Sequence, residues 1–257
     1  MEKIVDAHIH LDHYDQEEIL LIMDELENIH CTNLVSVSFD LESCKKNAQL
    51  AKQFPQVRPA FGFHPEQELP SDHEVVELFN WMSLNLDKMV AVGEVGLPYY
   101  LRSENPKIDI DPYILLLEEF LKFAKRWDKP VVLHAVYDDA PIVCDFLEKH
   151  NIKHAHFHWF KGDLITIERM IKNGYFISIT PDVLYEEEIQ QLVIKYPLNQ
   201  MMVETDGPWR FEGDFTGKMT HPAMIHESVK MIAKIKKEDI SFVYKSLYEN
   251  TKHFYGS

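Results

Sequence analysis

The chain has 257 residues, 46% of them hydrophobic, enough to bury a sizeable core as one barrel-sized unit or two small domains. With 26 Lys plus Arg against 42 Asp plus Glu, its formal net charge of -16 repels a polyanion at long range and argues against extensive wrapping of duplex DNA. Three cysteines (Cys31, Cys44 and Cys144) without a CxxC spacing argue against a disulfide framework or a zinc ribbon, and no run of about 18 apolar residues suggests a membrane span. No basic segment followed by a long apolar stretch opens the chain, so no signal peptide is expected and the expected location is the cytoplasm.

In chain order, short runs rich in β-branched residues predict strands at 3–9, 33–39, 57–63, 89–95, 130–135, 153–158, 174–179 and 201–205. Between them lie amphipathic stretches such as 17–30, 72–86, 111–127 and 185–196, whose apolar residues recur at three and four and predict helices. Strands alternating with helices imply parallel β-α-β units. Eight such units in this length predict a (β/α)8 TIM barrel, read as one domain over 1–257 because no linker, repeat or composition break divides it.

Active sites of that fold lie at the carboxyl ends of the strands. The polar residues fall there: His8 and His10 after the first strand's apolar run, Asp40 after the second, His64 after the third, Glu94 on the fourth, His134 on the fifth, His158 on the sixth and Asp206 after the eighth. Residues i and i+2 of a strand share a face, so His8 and His10 stand side by side, with Asp6 on the same edge. Alone, such a pair is also explained as a polar strand end. Its partners on the same rim make it half of a metal site. Imidazole nitrogens and carboxylate oxygens suit borderline divalent cations, and four histidines with Glu94 and Asp206 suffice for two neighbouring ions. Two cations at close range repel, and Glu94, midway between the histidine groups, is the expected bridge. Glu94 stands among apolar residues with no basic neighbour in its strand, where an unpaired carboxylate is costly to bury. A water held by two cations becomes a nucleophile near neutral pH, which points to hydrolysis.

The stretches VDAHIHLD, FGFHPE, VGEVGL, KPVVLHA, HFHWFKG, VETDGPW and ENTKHFYG occur in this order over nearly the whole chain, which resembles the TatD family of metal-dependent hydrolases. The resemblance implies a TIM barrel with a two-metal site and, as for several members, deoxyribonuclease activity. It implies that His8, His10 and Asp206 hold one ion, that His134 and His158 hold the other, and that Glu94 bridges them. The ions would be Zn, Mn or Mg. The chain departs from the family pattern at Val136, where members usually carry Arg, at Pro98, where Asp is usual, and at Thr220 and His221, where Asn and Glu are often found. The metal set is intact and the substrate-facing set is altered.

Asp206 and Glu94 are therefore the expected catalytic residues, Asp206 also as acceptor of the proton during attack, although DGP is a turn signal in its own right. His64, Lys218 and Trp209 are expected to face substrate; Trp159 and Phe211 join Trp209 as stacking surfaces or loop anchors. Among His154, His156 and His158, which share one strand face, only His158 reaches the rim; His156 is expected deeper in the core. Glu204 is expected behind Asp206, holding a basic or imidazole partner. The expected substrate is the end of a short single-stranded or frayed nucleic acid, or a small phosphoester, with no extended duplex and no membrane as partner. A two-metal hydrolase of an amide or lactone and a non-catalytic metal-stabilised binding protein are the competing readings.

Overall fold

The computed structural model of the chain describes residues 2–256. Among these, eight strands alternate with helices: β1 (Ile4–Ile9), β2 (Cys31–Ser36), β3 (Val57–Phe61), β4 (Ala91–Gly96), β5 (Val131–His134), β6 (Ala155–Phe157), β7 (Phe176–Ile179) and β8 (Met201–Val203). All eight predicted strands are present, with ends that move by up to three residues. Each strand pairs in parallel with the next, in the order β1 to β8. The two edges of the sheet meet where the Asp206 N–H donates to the His8 carbonyl at 2.9 Å and the His10 N–H to the Gly207 carbonyl at 2.7 Å. Asp6 stitches the same seam, accepting from the Thr205 N–H at 3.0 Å and the Thr205 hydroxyl at 2.5 Å. The chain thus forms a TIM barrel.

Helices α1 (Gln16–Glu25), α2 (Leu41–Gln53), α3 (Asp72–Leu84), α4 (Tyr99–Glu104), α5 (Asp111–Arg126), α6 (Asp139–Lys149), α7 (Leu164–Asn173), α8 (Glu187–Lys195), α9 (Ile225–Lys236) and α10 (Ile240–Tyr255) complete the chain. Several begin at side chains that satisfy their free N–H groups: Asp15 and Ser71 form capping boxes with Glu18 and Glu74, and Asp163 and Asp239 cap α7 and α10. Asp40 does the same for α2, accepting from the Ser43 N–H at 2.9 Å. Its side chain is therefore committed to the helix start and does not join the other rim residues. No helix among the described residues is long and apolar enough to cross a membrane.

Small and β-branched residues fill the barrel interior. Ala7, Val35, Ala60, Ala91, Val132 and Met202, contributed by six strands, pack in one cluster with Phe254 and Tyr255 from the end of α10. A second, larger set including Ile9, Leu34, Val92, Val95, Leu133 and Ile177 packs against the helices. Val92 and Val95 both belong to this outer set although they are three apart. The pairing of β4 with β5 shifts register between them, so the two-residue alternation slips at Gly93 and Glu94 and the Glu94 side chain enters the barrel.

Gly96 marks the closest approach of β4 to β5. A Cβ built there would lie 1.9 Å from the His134 carbonyl oxygen and 2.7 Å from its carbon, both backbone atoms that cannot swing aside. Gly96→Ala is expected to destabilise the protein by about 1–3 kcal/mol or more and to displace His134; denaturant melts compared with wild type check it.

Candidate metal centre

Loops and strand ends at the carboxyl-terminal mouth of the barrel bring together seven side chains that the sequence scatters over 199 positions, from His8 to Asp206. His8 lies in β1 and His10 just beyond it, His64 after β3, Glu94 within β4, His134 at the end of β5, His158 just after β6 and Asp206 three residues past β8. All seven are buried, with His8 and Glu94 fully enclosed. Asp206 stands at φ 48°, a left-handed conformation that Asp tolerates better than most residues, and its carbonyl accepts from the Trp209 N–H at 3.1 Å. The turn read from DGP is real, and it aims the carboxylate inward.

Glu94 organises the group. Its Oε2 lies 3.2 Å from His8 Nε2 and 3.3 Å from His10 Nε2. Its Oε1 lies 2.7 Å from His158 Nε2, 2.8 Å from His134 Nδ1 and 3.4 Å from His64 Nε2. Asp206 Oδ1 belongs to the first half, 3.2 Å from His8 Nε2 and 3.6 Å from His10 Nε2. Donor atoms of His8, His10 and Glu94 lie within 4.8 Å of one another, as do those of His64, Glu94 and His134 and those of His8, His158 and Glu204.

Whether these residues suit a cation is answered by their unused capacity. Both nitrogens of His8, Nδ1 of His10, Oε2 of Glu94 and Oδ1 of Asp206 are buried without a hydrogen-bond partner. A fold that leaves so many polar atoms unsatisfied in one place incurs about 1–3 kcal/mol for each, unless something of opposite character binds there. Lone pairs of imidazoles and carboxylates in one enclosed space fit a divalent cation.

The ionisation states agree. Burial opposes charge on His8, but the carboxylates of Glu94 and Asp206 outweigh it and hold its pKa well above the usual imidazole range. For His134, burial again opposes, while hydrogen bonds to Glu66 and Glu94 raise the pKa to about 9. Burial would raise Glu94, yet His158, His64 and His8 around it hold it well below the usual carboxylate range. Burial dominates at His158, lowering it to about 4, and so leaves a neutral ring. In the ion-free protein at neutral pH, His8 and His134 thus carry protons that a cation must displace. Because the folded pKa of His134 is raised, its stabilising pairing is complete below about 6.5 and lost as pH rises through about 9. Metal binding at pH 7 is expected to release at least about one proton per chain and to tighten as pH approaches 9. Calorimetry in buffers of different ionisation enthalpy measures both.

Two partners were not foreseen from sequence. Glu66 accepts from His134 Nε2 at 2.9 Å and is itself fixed by the N–H groups of Tyr100 and Leu101 at 2.9 and 2.6 Å. It therefore holds the Nε2 proton and leaves Nδ1 facing Glu94. Phe39 stacks on the His64 ring at 4.6 Å, and the Glu66 N–H donates to His64 Nδ1 at 3.2 Å. His64 therefore presents Nε2 to Glu94 and sits inside the ligand cluster, closer than a peripheral substrate contact. The stretch FGFHPE, in which a carboxylate follows a histidine by two residues, contains Glu66 but does not show that it turns toward His134, and nothing in it points to Phe39.

Aromatic residues wall the mouth. Trp209, 60% exposed, meets Trp159 edge to face at 5.5 Å, and Phe211 packs on Trp159 at 5.8 Å. The Trp159 indole N–H donates to Asp182 at 2.6 Å, so this residue anchors its loop. On another arc, Tyr99 packs on Tyr137 at 4.9 Å, and Tyr100 lies edge-on to His134 at 6.1 Å. Lys218 is exposed, its Nζ 5.9 Å from the Phe215 ring centroid, while Arg210 donates to the Lys218 carbonyl at 3.1 Å and braces the loop. His156 and Glu204 are fully buried beneath the ligand cluster.

The model of the family described as TatD related DNase matches residues 5–256. The chain belongs to the TatD family of metal-dependent hydrolases. A metal-dependent hydrolase of Haemophilus influenzae is 39% identical over 98% of this chain and 99% of its own length. Deoxyribonuclease TATDN3 of Homo sapiens is 26% identical over 96% of this chain and 92% of its own. Among solved structures, the TatD homologue YjjV of Escherichia coli superposes with a TM-score of 0.89 at 24% identity, covering 99% of this chain and 98% of that one. The TatD barrel and the geometry around Glu94 thus meet in one molecule.

Proposed function

We propose that this TatD-family hydrolase uses two divalent ions, Zn, Mn or Mg, to cleave phosphodiester bonds at the ends of short single-stranded or frayed DNA. The observation that carries the dinuclear reading is the division of Glu94: one carboxylate oxygen faces His8 and His10, the other faces His134 and His158. In this reading His8, His10 and Asp206 would hold one ion and His134 and His158 the other, with Glu94 serving both. When bound, the ions lower the pKa of a water and neutralise charge developing on phosphoryl oxygens. Asp206 takes the proton of the attacking water on a carboxylate oxygen. His64, beside His134 on the Oε1 side of Glu94, orients the phosphate, and Glu66 fixes the ring of His134.

Support for DNA comes from the family description and the human relative, both named for that substrate. Support for single strands comes from the walls: Trp209 and Tyr100 offer exposed ring faces for unpaired bases, where each stacked base contributes about 1–3 kcal/mol. Lys218, exposed on the loop after β8, is the cation we assign to an outer phosphate. Apart from it, binding is local, because the chain as a whole is at -16. A duplex is too wide to bring its backbone into this cup without unpairing.

A labelled oligonucleotide ladder with Mg, Mn or Zn, run beside amide and lactone substrates, tests the reading. The expected result is slow metal-dependent shortening from strand ends, with a salt dependence much shallower than the about 10³–10⁵-fold loss seen for binders that contact many phosphates. Hydrolysis of a carboxyl-type bond without phosphodiester cleavage would overturn the substrate, and rapid nicking of closed circles would overturn the requirement for ends.

A further inference from the structure

Beneath the ligand cluster runs a chain of buried polar groups that the mechanism above does not use. Tyr255, in the last turn of α10, places its hydroxyl 2.7 Å from His156 Nδ1. The other nitrogen of the same ring, Nε2, lies 2.5 Å from the Ser178 hydroxyl on β7. Ser178 donates to Glu204 Oε2, and Glu204 Oε1 accepts from the Trp159 N–H at 2.7 Å. The same Oε1 stands 3.8 Å from Nδ1 of His158, whose opposite nitrogen faces Glu94. His156, Ser178 and Glu204 are all at most 1% exposed, and Tyr255 is 6% exposed.

The order of donors follows from the parts. Ser178 has one proton, which goes to Glu204, so its oxygen accepts from His156 Nε2–H. A neutral ring with its proton on Nε2 accepts at Nδ1, and Tyr255 supplies that bond. A run of four polar side chains across the interior of a barrel is expensive unless every member is satisfied. Apolar residues of similar volume would fill the same space, as they do in the neighbouring layer of Ala7, Val35, Ala60 and Met202. What the chain achieves at its upper end is a carboxylate fixed by two donors directly behind an imidazole whose buried Nδ1 has no hydrogen-bond partner. A carboxylate behind a ligating imidazole fixes the ring's tautomer and orientation and raises its basicity.

We infer that Glu204 is a positioning residue for His158, and that Ser178, His156 and Tyr255 hold Glu204 in that role, so that the last turn of the chain tunes the ion held by His134 and His158. The inference rests on the dinuclear reading. It assigns the two halves of the centre different dependence: Glu204 stands directly behind His158 at 3.8 Å, while in the other half it comes within 4.8 Å of His8 alone and has no hydrogen bond to it.

The test is a titration of the full-length ion-free protein with Co(II), followed by calorimetry and visible absorption, for wild type, Glu204→Gln, Ser178→Ala and Tyr255→Phe. The last of these removes one hydroxyl without changing shape, and covers the case in which a deeper variant does not fold. The expected result is two binding steps in wild type, one of which weakens about 10–100-fold in Glu204→Gln and by a smaller factor in the other two, the other step keeping its affinity. Variants that bind both ions as wild type does, with only a lower melting temperature, would overturn the proposal, as would equal weakening of both steps. A single binding step in wild type would count against the dinuclear reading itself, and is distinguished by appearing before any substitution.

Discussion

Glu94→Ala is expected to remove both ions together and to abolish measurable turnover, whereas His134→Ala should spare the ion held on the His8 side. The difference follows from Glu94 lying within 3.4 Å of all five imidazoles, with its two oxygens divided between them. Without that carboxylate, two cations would share a buried space with no negative charge between them, and their repulsion in an enclosed site exceeds what the remaining ligands offset. The ion-free variant has its own signature. His134 owes part of its raised pKa of about 9 to Glu94, so its titration, followed by NMR of the imidazole, should move down while Glu66 still supports it. Elemental analysis of the saturated variant gives the stoichiometry. Retention of one ion would make Glu94 a ligand of a single site.

Asp206→Asn is expected to keep the fold and much of the bound metal and to lower the rate by at least about a hundredfold, the scale of one general base. The amide has nearly the same shape, so the turn at φ 48° persists, and Asn tolerates that conformation as well as Asp does. What it lacks is the capacity to take a proton. Burial acts to raise the Asp206 carboxyl, but His8, whose Nε2 lies 3.2 Å from Oδ1, together with His158 and His10, holds it below the usual carboxylate range. It is therefore ionised at the start of the reaction. Single-turnover rates across pH check this, and near-full activity in the variant would assign the base elsewhere.

How far these conclusions could be read from sequence varies by element. The eight strands announce themselves because parallel strands buried on both faces are continuous β-branched runs, and the helices between them alternate at a different period. The inward aim of Glu94 is hidden, since a regular strand gives Val92 and Glu94 the same face and the slip in β4 separates them. Asp40 shows the opposite error. Three residues before Ser43 and directly before a helical run, it carried the signal of a helix cap, and the cap prevails over the rim. His8, His10, His134, His158 and Asp206 were legible because the barrel fixes where strand ends must meet. Glu66 and Tyr255 were not, because one acts through a loop after β3 and the other through packing 248 residues from Ala7, whose carbonyl its hydroxyl also meets at 3.2 Å.

The proposed mechanism depends on two cations sharing Glu94. Crystals of the protein saturated with Mn, measured at a wavelength where that metal scatters anomalously, test it directly. Two peaks per chain are expected on opposite sides of the Glu94 carboxylate, one bounded by His8, His10 and Asp206 and the other by His134 and His158. A single peak at full saturation, or two peaks on the same side of Glu94, would contradict it.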